Sequence, residues 1–546
     1  MRLATCVRIT ISTLLLLVSA NVLPACTNIL VTKGASADGS TMITYACDGR
    51  FHPHLRRSDA KDNEPGTELE IREWGGKLRG AIPEAEHTYA VVGLMNEHQL
   101  TISETTTTGR EELQNPEGLI HYWDLMKLAL KRARTAREAI EVMTSLVDEF
   151  GYRSTAESFS IADPDEVWLM EMIGKGPGRK GAIWVARRIP DGFISAYANG
   201  IRIRQFPMDD PENCLFAPDV VDFAVEMGFW KADDKRPFSF AEAYDNPTVQ
   251  SRRYTASRVW SVFRRAAPSL ESSLDPAYHR GDPRAKPYPL WIKPDQKLST
   301  AGVMALMRDH YEGTPWDMTQ GLDAGPYATP NRWRPMTWEV SGEQHSWERP
   351  ISTQQTGFSF VSQSRSWLPD AIGGVYWYGL DDTWTTCYVP LYAGITALPE
   401  SFTVGSLGEF SWDSAWWVFN FVANIANLKF SHMTPEILAL QQEIEGEFFT
   451  MQPVIEKAAL ELMGTDPDLA LRFLTDYSVN RAESVVIRWK ALGEHLLMKY
   501  NDGYINEKGT EPERGYPDSW LEEVVRSRPE QFHLDQNQEP EIVLPY

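Results

Sequence analysis

"LPACTNILVTKGASADGST", residues 23–41, follows the most apolar run of the chain and sets a cysteine, Cys26, directly behind a small residue, Ala25. Upstream, Arg2 and Arg8 give a positive start, and residues 9–18 form an apolar stretch too short to cross a bilayer. Residues 1–25 therefore read as a secretion signal cut before Cys26, which predicts a secreted or periplasmic protein. Three fates for Cys26 follow. Leu23 and Ala25 suit a lipid-attachment signal, although Pro24 between them fits it poorly. The thiol is alternatively one half of a disulfide. In the third reading, cleavage frees an α-amine of pKa about 7.7–8.0 beside a thiol near about 8.5. One residue then supplies nucleophile and base. Lipidation alkylates the sulfur, so the first and third readings exclude each other.

The bulk numbers narrow the partners. The chain has 546 residues, 42% of them hydrophobic, enough for a large core. Lys and Arg number 53 against 75 Asp and Glu, a formal net charge of −22, which repels phosphate backbones and anionic membranes. Nucleic acid is excluded on that ground. No run after residue 25 approaches about 18 uninterrupted apolar residues, so no integral membrane segment is expected. Beyond the signal the cysteines are Cys26, Cys47, Cys214 and Cys387. These are too few for a disulfide scaffold, and a Cys214–Cys387 bridge stays open. No zinc-type spacing is present, and His52 with His54 reads as a solvated loop pair. No metal or cofactor is implied.

Along the chain, residues 29–31 and 42–45 read as strands around a turn at 34–39. Residues 89–94 and 100–103 form a second pair across a turn that begins at Asn96, a structural residue in this reading. The pattern turns helical between 119 and 150, with Thr135 and Glu138 as a capping box and Gly151 as a stop. Strands return at 158–162, 167–172, 182–186 and 194–198, and strand-like composition again between 326 and 399. Helices follow at 412–430, from Pro435 with Thr434 as cap, and from Asp476 to about residue 500. Residues 501–546 read as an extended polar tail. Strands, helices, then strands again within the first 200 residues point to an α+β layer fold, one unit over residues 26–500.

Cys26-Thr27-Asn28-Ile29-Leu30-Val31 and the residues to Thr41 resemble the mature N-terminus of the dipeptidase A family, cysteine peptidases of the N-terminal nucleophile (Ntn) hydrolase class. The likeness continues through Phe159-Ser160-Ile161-Ala162-Asp163-Pro164, Glu166-Val167-Trp168-Leu169-Met170-Glu171 and Trp184-Val185-Ala186-Arg187-Arg188. It resumes at Ala198-Asn199-Gly200-Ile201-Arg202, Gly325-Pro326-Tyr327-Ala328-Thr329-Pro330 and Ile372-Gly373-Gly374-Val375-Tyr376-Trp377. The resemblance implies a four-layer αββα fold and a secreted dipeptidase with Cys26 as nucleophile, its α-amine as base and a thioester intermediate. By position it implies Asp48 as the group orienting that amine and Asn199 as an oxyanion donor. It also aligns Arg252 and Arg253 loosely with a substrate-binding arginine. Many relatives carry Arg three positions before the aspartate, where this chain has Tyr45. The alternatives are an Ntn amidase or acylase acting on non-peptide amides, and a binding protein anchored by a lipidated Cys26. Oligomeric state is not readable.

Overall fold

A computed structural model describes residues 25–507 and 515–534; the proposed signal, Ala25 apart, lies outside them. The opening strand is Ala25–Val31, and it pairs antiparallel with Met42–Asp48. Between them Asp38 accepts from the Ser40 backbone N–H and from the Ser36 and Ser40 hydroxyls, closing the turn, and Gly39 takes φ +84°. The two strands are central in a seven-stranded antiparallel sheet. Its order is Trp291–Ile292, Ile194–Tyr197, Ala25–Val31, Met42–Asp48, Thr356–Gln363, Val375–Leu380, Val389–Tyr392. Every residue of Met42–Asp48 and of Thr356–Gln363 is buried. Such strands read as continuous apolar or small-polar runs without alternation.

A second sheet of eight strands runs Cys214–Phe216, Ala182–Arg188, Val167–Gly174, Glu157–Ala162, Thr101–Thr106, Met95–Asn96, Val91–Val92, Arg57–Ser58. It faces the first. Asn28 donates across the gap to Ser103 Oγ at 2.6 Å, and the Ser103 hydroxyl donates to Thr44 O at 3.1 Å. Helices Tyr122–Arg132 and Ala136–Phe150 pack on the second sheet; Val249–Ala266, Thr300–Met307, Ala415–Ala426 and Pro467–Lys499 pack on the first. The class is α+β. All four described cysteines are free and buried, so Cys214 and Cys387 form no bridge. No described helix is long and apolar enough to cross a membrane.

Three boundaries differ from expectation. Thr434 caps nothing: Phe430–Met463 is one helix with Pro435 and Pro453 inside it. A proline there forgoes one backbone bond, and the packed neighbouring helices Ala415–Ala426 and Pro467–Lys499 hold the helix together regardless. The last long helix starts at Pro467, ahead of Asp476, because Asp466 accepts from Leu469 N and proline suits the first turn. The tail is not wholly extended, since the amphipathic segment Asp518–Ser527 is helical.

Candidate active site

Successive side chains of a strand point to opposite faces, so Cys26 and Asn28 look toward the second sheet while Thr27 looks away. Cys26 is fully buried and stands directly opposite Cys47, with Ala25 opposite Asp48. Tyr45, two residues before Cys47, shares the Cys26 face. The Cys26 sulfur donates to its hydroxyl at 3.8 Å, and that hydroxyl donates to Glu104 on the facing sheet. Burial pushes the Cys26 thiol well above its ordinary pKa, and Cys47, Glu104 and Asp48 push the same way. Burial thus favours the thiol over the thiolate.

The Cys26 nitrogen donates to Asn199 Oδ1 at 3.0 Å. Asn199 follows the strand Ile194–Tyr197 and sits at φ 61°, the left-handed region that asparagine tolerates better than most residues. Its Nδ2 donates to Thr106 O at 2.7 Å. Oδ1 also receives Arg258 Nη2 at 2.9 Å. The reverse amide orientation would set Nδ2 against two donors. Asn199 thus meets the Cys26 nitrogen with its oxygen.

Arg258 was not singled out by the sequence. It is 1% exposed, on the helix Val249–Ala266 whose N-terminus Thr248 caps. Its guanidinium donates to Cys26 O (2.8 Å), Thr27 Oγ1 (2.8 Å) and Ala198 O (3.3 Å) besides Asn199. Burial first, and neighbouring Arg349 second, lower its pKa to about 9. The signal was present: an arginine flanked by Ala256, Val259, Trp260, Val262 and Phe263, all buried. Arg252 and Arg253, on the same helix, have other partners. Arg253 pairs with Glu348, which Arg280 also holds at 2.7 Å. Arg252 lines a smaller cavity of about 240 Å³ and lies over the Tyr278 ring.

Asp48 is 2% exposed, one step beyond Cys47. Its two oxygens accept from Arg349 Nη2 (2.6 Å) and Thr356 Oγ1 (2.7 Å). Burial nonetheless raises its pKa, with Arg349 opposing. Asp48 is close to Cys26 but reaches the Cys26 nitrogen through no direct hydrogen bond; Asn199 does. His52 and His54 make no hydrogen bond to this cluster: they meet Ser414 and the Gly405 carbonyl and line the cavity described next. Asn96 is structural, with Nδ2 donating to Leu130 O and Ala133 O at 2.8 Å each.

Beside this cluster opens a cavity of about 1020 Å³. Phe358 lines it and meets the Tyr45 ring edge-on at 5.5 Å. Trp74, Tyr122, Trp123, Tyr376 and Tyr378 complete an aromatic wall. Arg56, Lys127, Lys131 and Arg153 stand in the same lining against Glu73 and Asp124. Arg153 Nε is buried with no hydrogen-bond partner. In a chain of net charge −22, this cavity wall carries more cations than anions.

The model of peptidase family C69 matches residues 69–443. That stretch includes Asn199 and Arg258 and begins beyond Cys26 and Asp48. A protein named probable dipeptidase from Latilactobacillus sakei is 25% identical over 401 residues, 70% of this chain and 76% of its own. A probable dipeptidase A of Streptococcus pyogenes is 23% identical over 85% of this chain and 96% of its own. Dipeptidase A of Lactobacillus helveticus is 24% identical over 81% and 90%.

Proposed function

The chain belongs to peptidase family C69, and from that premise we propose that it is an exported dipeptidase whose nucleophile is Cys26, uncovered by removal of residues 1–25. The observation that carries the reading is the seat of the Cys26 nitrogen. It lies 3.0 Å from Asn199 Oδ1, an acceptor that would hold an α-amine and keep it beside its own sulfur. The stacking of helix, sheet, sheet and helix supports the four-layer Ntn arrangement.

In this mechanism the sulfur attacks the scissile carbonyl carbon and the C–N bond then breaks. The leaving amine takes a proton from the α-ammonium. Water next attacks the thioester, with the neutral α-amine as base, and the thiol is restored. Asn199 holds the amine, and Arg258 fixes the Cys26 carbonyl and Asn199 together. The dipeptide occupies the aromatic cavity, where Arg153, Lys127 and their neighbours attract its carboxylate.

The test is direct. Cys26→Ala should abolish dipeptide hydrolysis, and Cys26→Ser should leave at most a trace. Iodoacetamide should inactivate the enzyme in step with modification of Cys26, read by peptide mass. A folded Cys26→Ala variant with wild-type kcat sinks the reading.

A further inference from the structure

A buried neutral thiol needs somewhere to send its proton; the Cys26 sulfur meets the Cys47 thiol and Tyr45 Oη, and only the tyrosine leads on to a carboxylate. Cys26 Sγ donates to Tyr45 Oη, and Tyr45 Oη donates to Glu104 Oε1. Glu104 is 1% exposed, on the Thr101–Thr106 strand of the facing sheet. Its neighbour Glu157 is fully buried, within hydrogen-bonding reach of Glu104, and takes Ser154 Oγ (3.0 Å) and Thr106 Oγ1 (3.2 Å) on Oε1. The Oε2 atoms of both carboxyls are buried with no donor supplied by any other group. A proton shared between the two carboxyls satisfies both. The groups facing Glu104 are Cys26, Tyr45, Tyr122, Tyr152, Glu157 and Tyr197, and no cation among the described residues contacts it.

We propose that Tyr45 and Glu104 are the path by which the Cys26 thiol gives up its proton during attack. The proposal rests on Cys26 being the nucleophile. As the S–C bond forms and the carbonyl π-pair moves to oxygen, the thiol proton passes to Tyr45 Oη. The tyrosine's own proton passes to Glu104 Oε1, and Tyr45 stays neutral throughout. When the thioester is hydrolysed the thiolate leaves, and the same proton returns from Glu104 through Tyr45. The α-ammonium is then left to protonate the leaving amine and, once neutral, to activate water, so the cycle closes without an added acid or base. Burial holds the Glu104 carboxyl up at about 7, which suits an acceptor working near neutral pH. An arginine at position 45 would instead attract a preformed thiolate; tyrosine conducts the proton away.

The experiment compares the exported chain with Tyr45→Phe, Glu104→Gln and the double variant, reading kcat, KM, the pH profile of kcat/KM and the pH profile of Cys26 alkylation. Each single change should lower kcat roughly 10²–10³-fold, as loss of a proton-transfer partner does, with KM within a few-fold. The rise in wild-type kcat/KM and alkylation rate through about pH 7, where Glu104 ionises, should disappear in both. The double variant should be no worse than the weaker single one, because both break the same path. Wild-type kcat in the single variants, multiplying losses in the double, or a surviving rise through about pH 7 overturns the relay. Should Glu104→Gln not fold, Tyr45→Phe, which deletes one oxygen, carries the test alone. An active Cys26→Ala overturns nucleophile and relay together. An inactive Cys26→Ala beside unaffected Tyr45 and Glu104 variants overturns the relay only.

Discussion

Asn199 holds two donors on one oxygen, the Cys26 nitrogen and the Arg258 guanidinium. Truncating it should therefore have two separable effects. Asn199→Ala should lower kcat by roughly 10²-fold through loss of the amine's position. It should also cost about 1–3 kcal/mol of stability, because a buried guanidinium loses an acceptor. Steady-state kinetics and urea denaturation of the same sample check both; an unchanged kcat would reduce Asn199 to a turn residue. Asp48 and Asn199 were implied by the resemblance to the dipeptidase A family, and the structure sets both beside Cys26 at one strand end. The sequence did not separate Arg258 from Arg252 and Arg253, because all three lie on one helix and only the helix's orientation against the sheet decides which is buried. Glu104 was invisible for a related reason. On a strand buried on both faces a carboxylate has no polar side to reveal which way it points.

At the scale of elements, strand and turn chemistry were the most legible. The turn around Asp38 and Gly39, the Asp163–Glu166 turn and the Gly151 stop all stand where the residues require them. Gly93, by contrast, marks a position that only the fold explains. It joins Val91–Val92 to Met95–Asn96 at φ +58°, and a Cβ there would stand 2.5 Å from the Tyr376 ring in the cavity wall. Gly93→Ala should destabilise the chain by about 1–3 kcal/mol as the ring is displaced. The displaced ring should also raise KM more than it lowers kcat. A urea midpoint and KM matching wild type would mean that the wall yields freely. The Pro467–Lys499 helix begins ahead of the expected Asp476, where Gly464-Thr465-Asp466-Pro467 spells a stop followed by a start. In the helix Phe430–Met463 a proline after a threonine has the form of a helix start, yet packing carries the helix through it.

Across the whole molecule, buried carboxyls set the response to pH. Burial raises Glu104 and Asp245 to about 7, Glu171 to about 8 and Asp381 to about 7. In the unfolded chain these groups ionise near about 4. On these carboxyls the native state binds more protons than the unfolded state between about 4 and 8, so stability falls as pH rises, while buried His121 and His279, lowered to about 4, pull the other way below about 6.5. A net charge of −22 adds repulsion in the direction of the carboxyls. The melting temperature should be higher near pH 5.5 than at pH 8, by scanning fluorimetry at fixed ionic strength, and a flat or rising profile would contradict this. The α+β class and the pairing of the first two strands were legible from periodicity and turns. The face-to-face stacking of the two sheets was not, because it rests on contacts such as Asn28 to Ser103 that join distant parts of the chain.

In the proposed function Ala25 is more than the last residue before a cut. Its backbone is a rung of the opening strand, paired with Asp48, and while it is attached the Cys26 nitrogen is an amide with no lone pair to offer a proton. Under the proposed mechanism the uncut chain is a zymogen that needs no inhibitory domain: one peptide bond keeps it latent. A chain made to retain a residue before Cys26 should hydrolyse no dipeptide until that residue is removed, as N-terminal sequencing against activity would register. Its thiol should still be alkylated, because Tyr45 and Glu104 are in place before the cut. Latency would then reside in turnover alone, leaving a protein that is folded and reactive at sulfur, yet harmless to peptides until its first bond is broken.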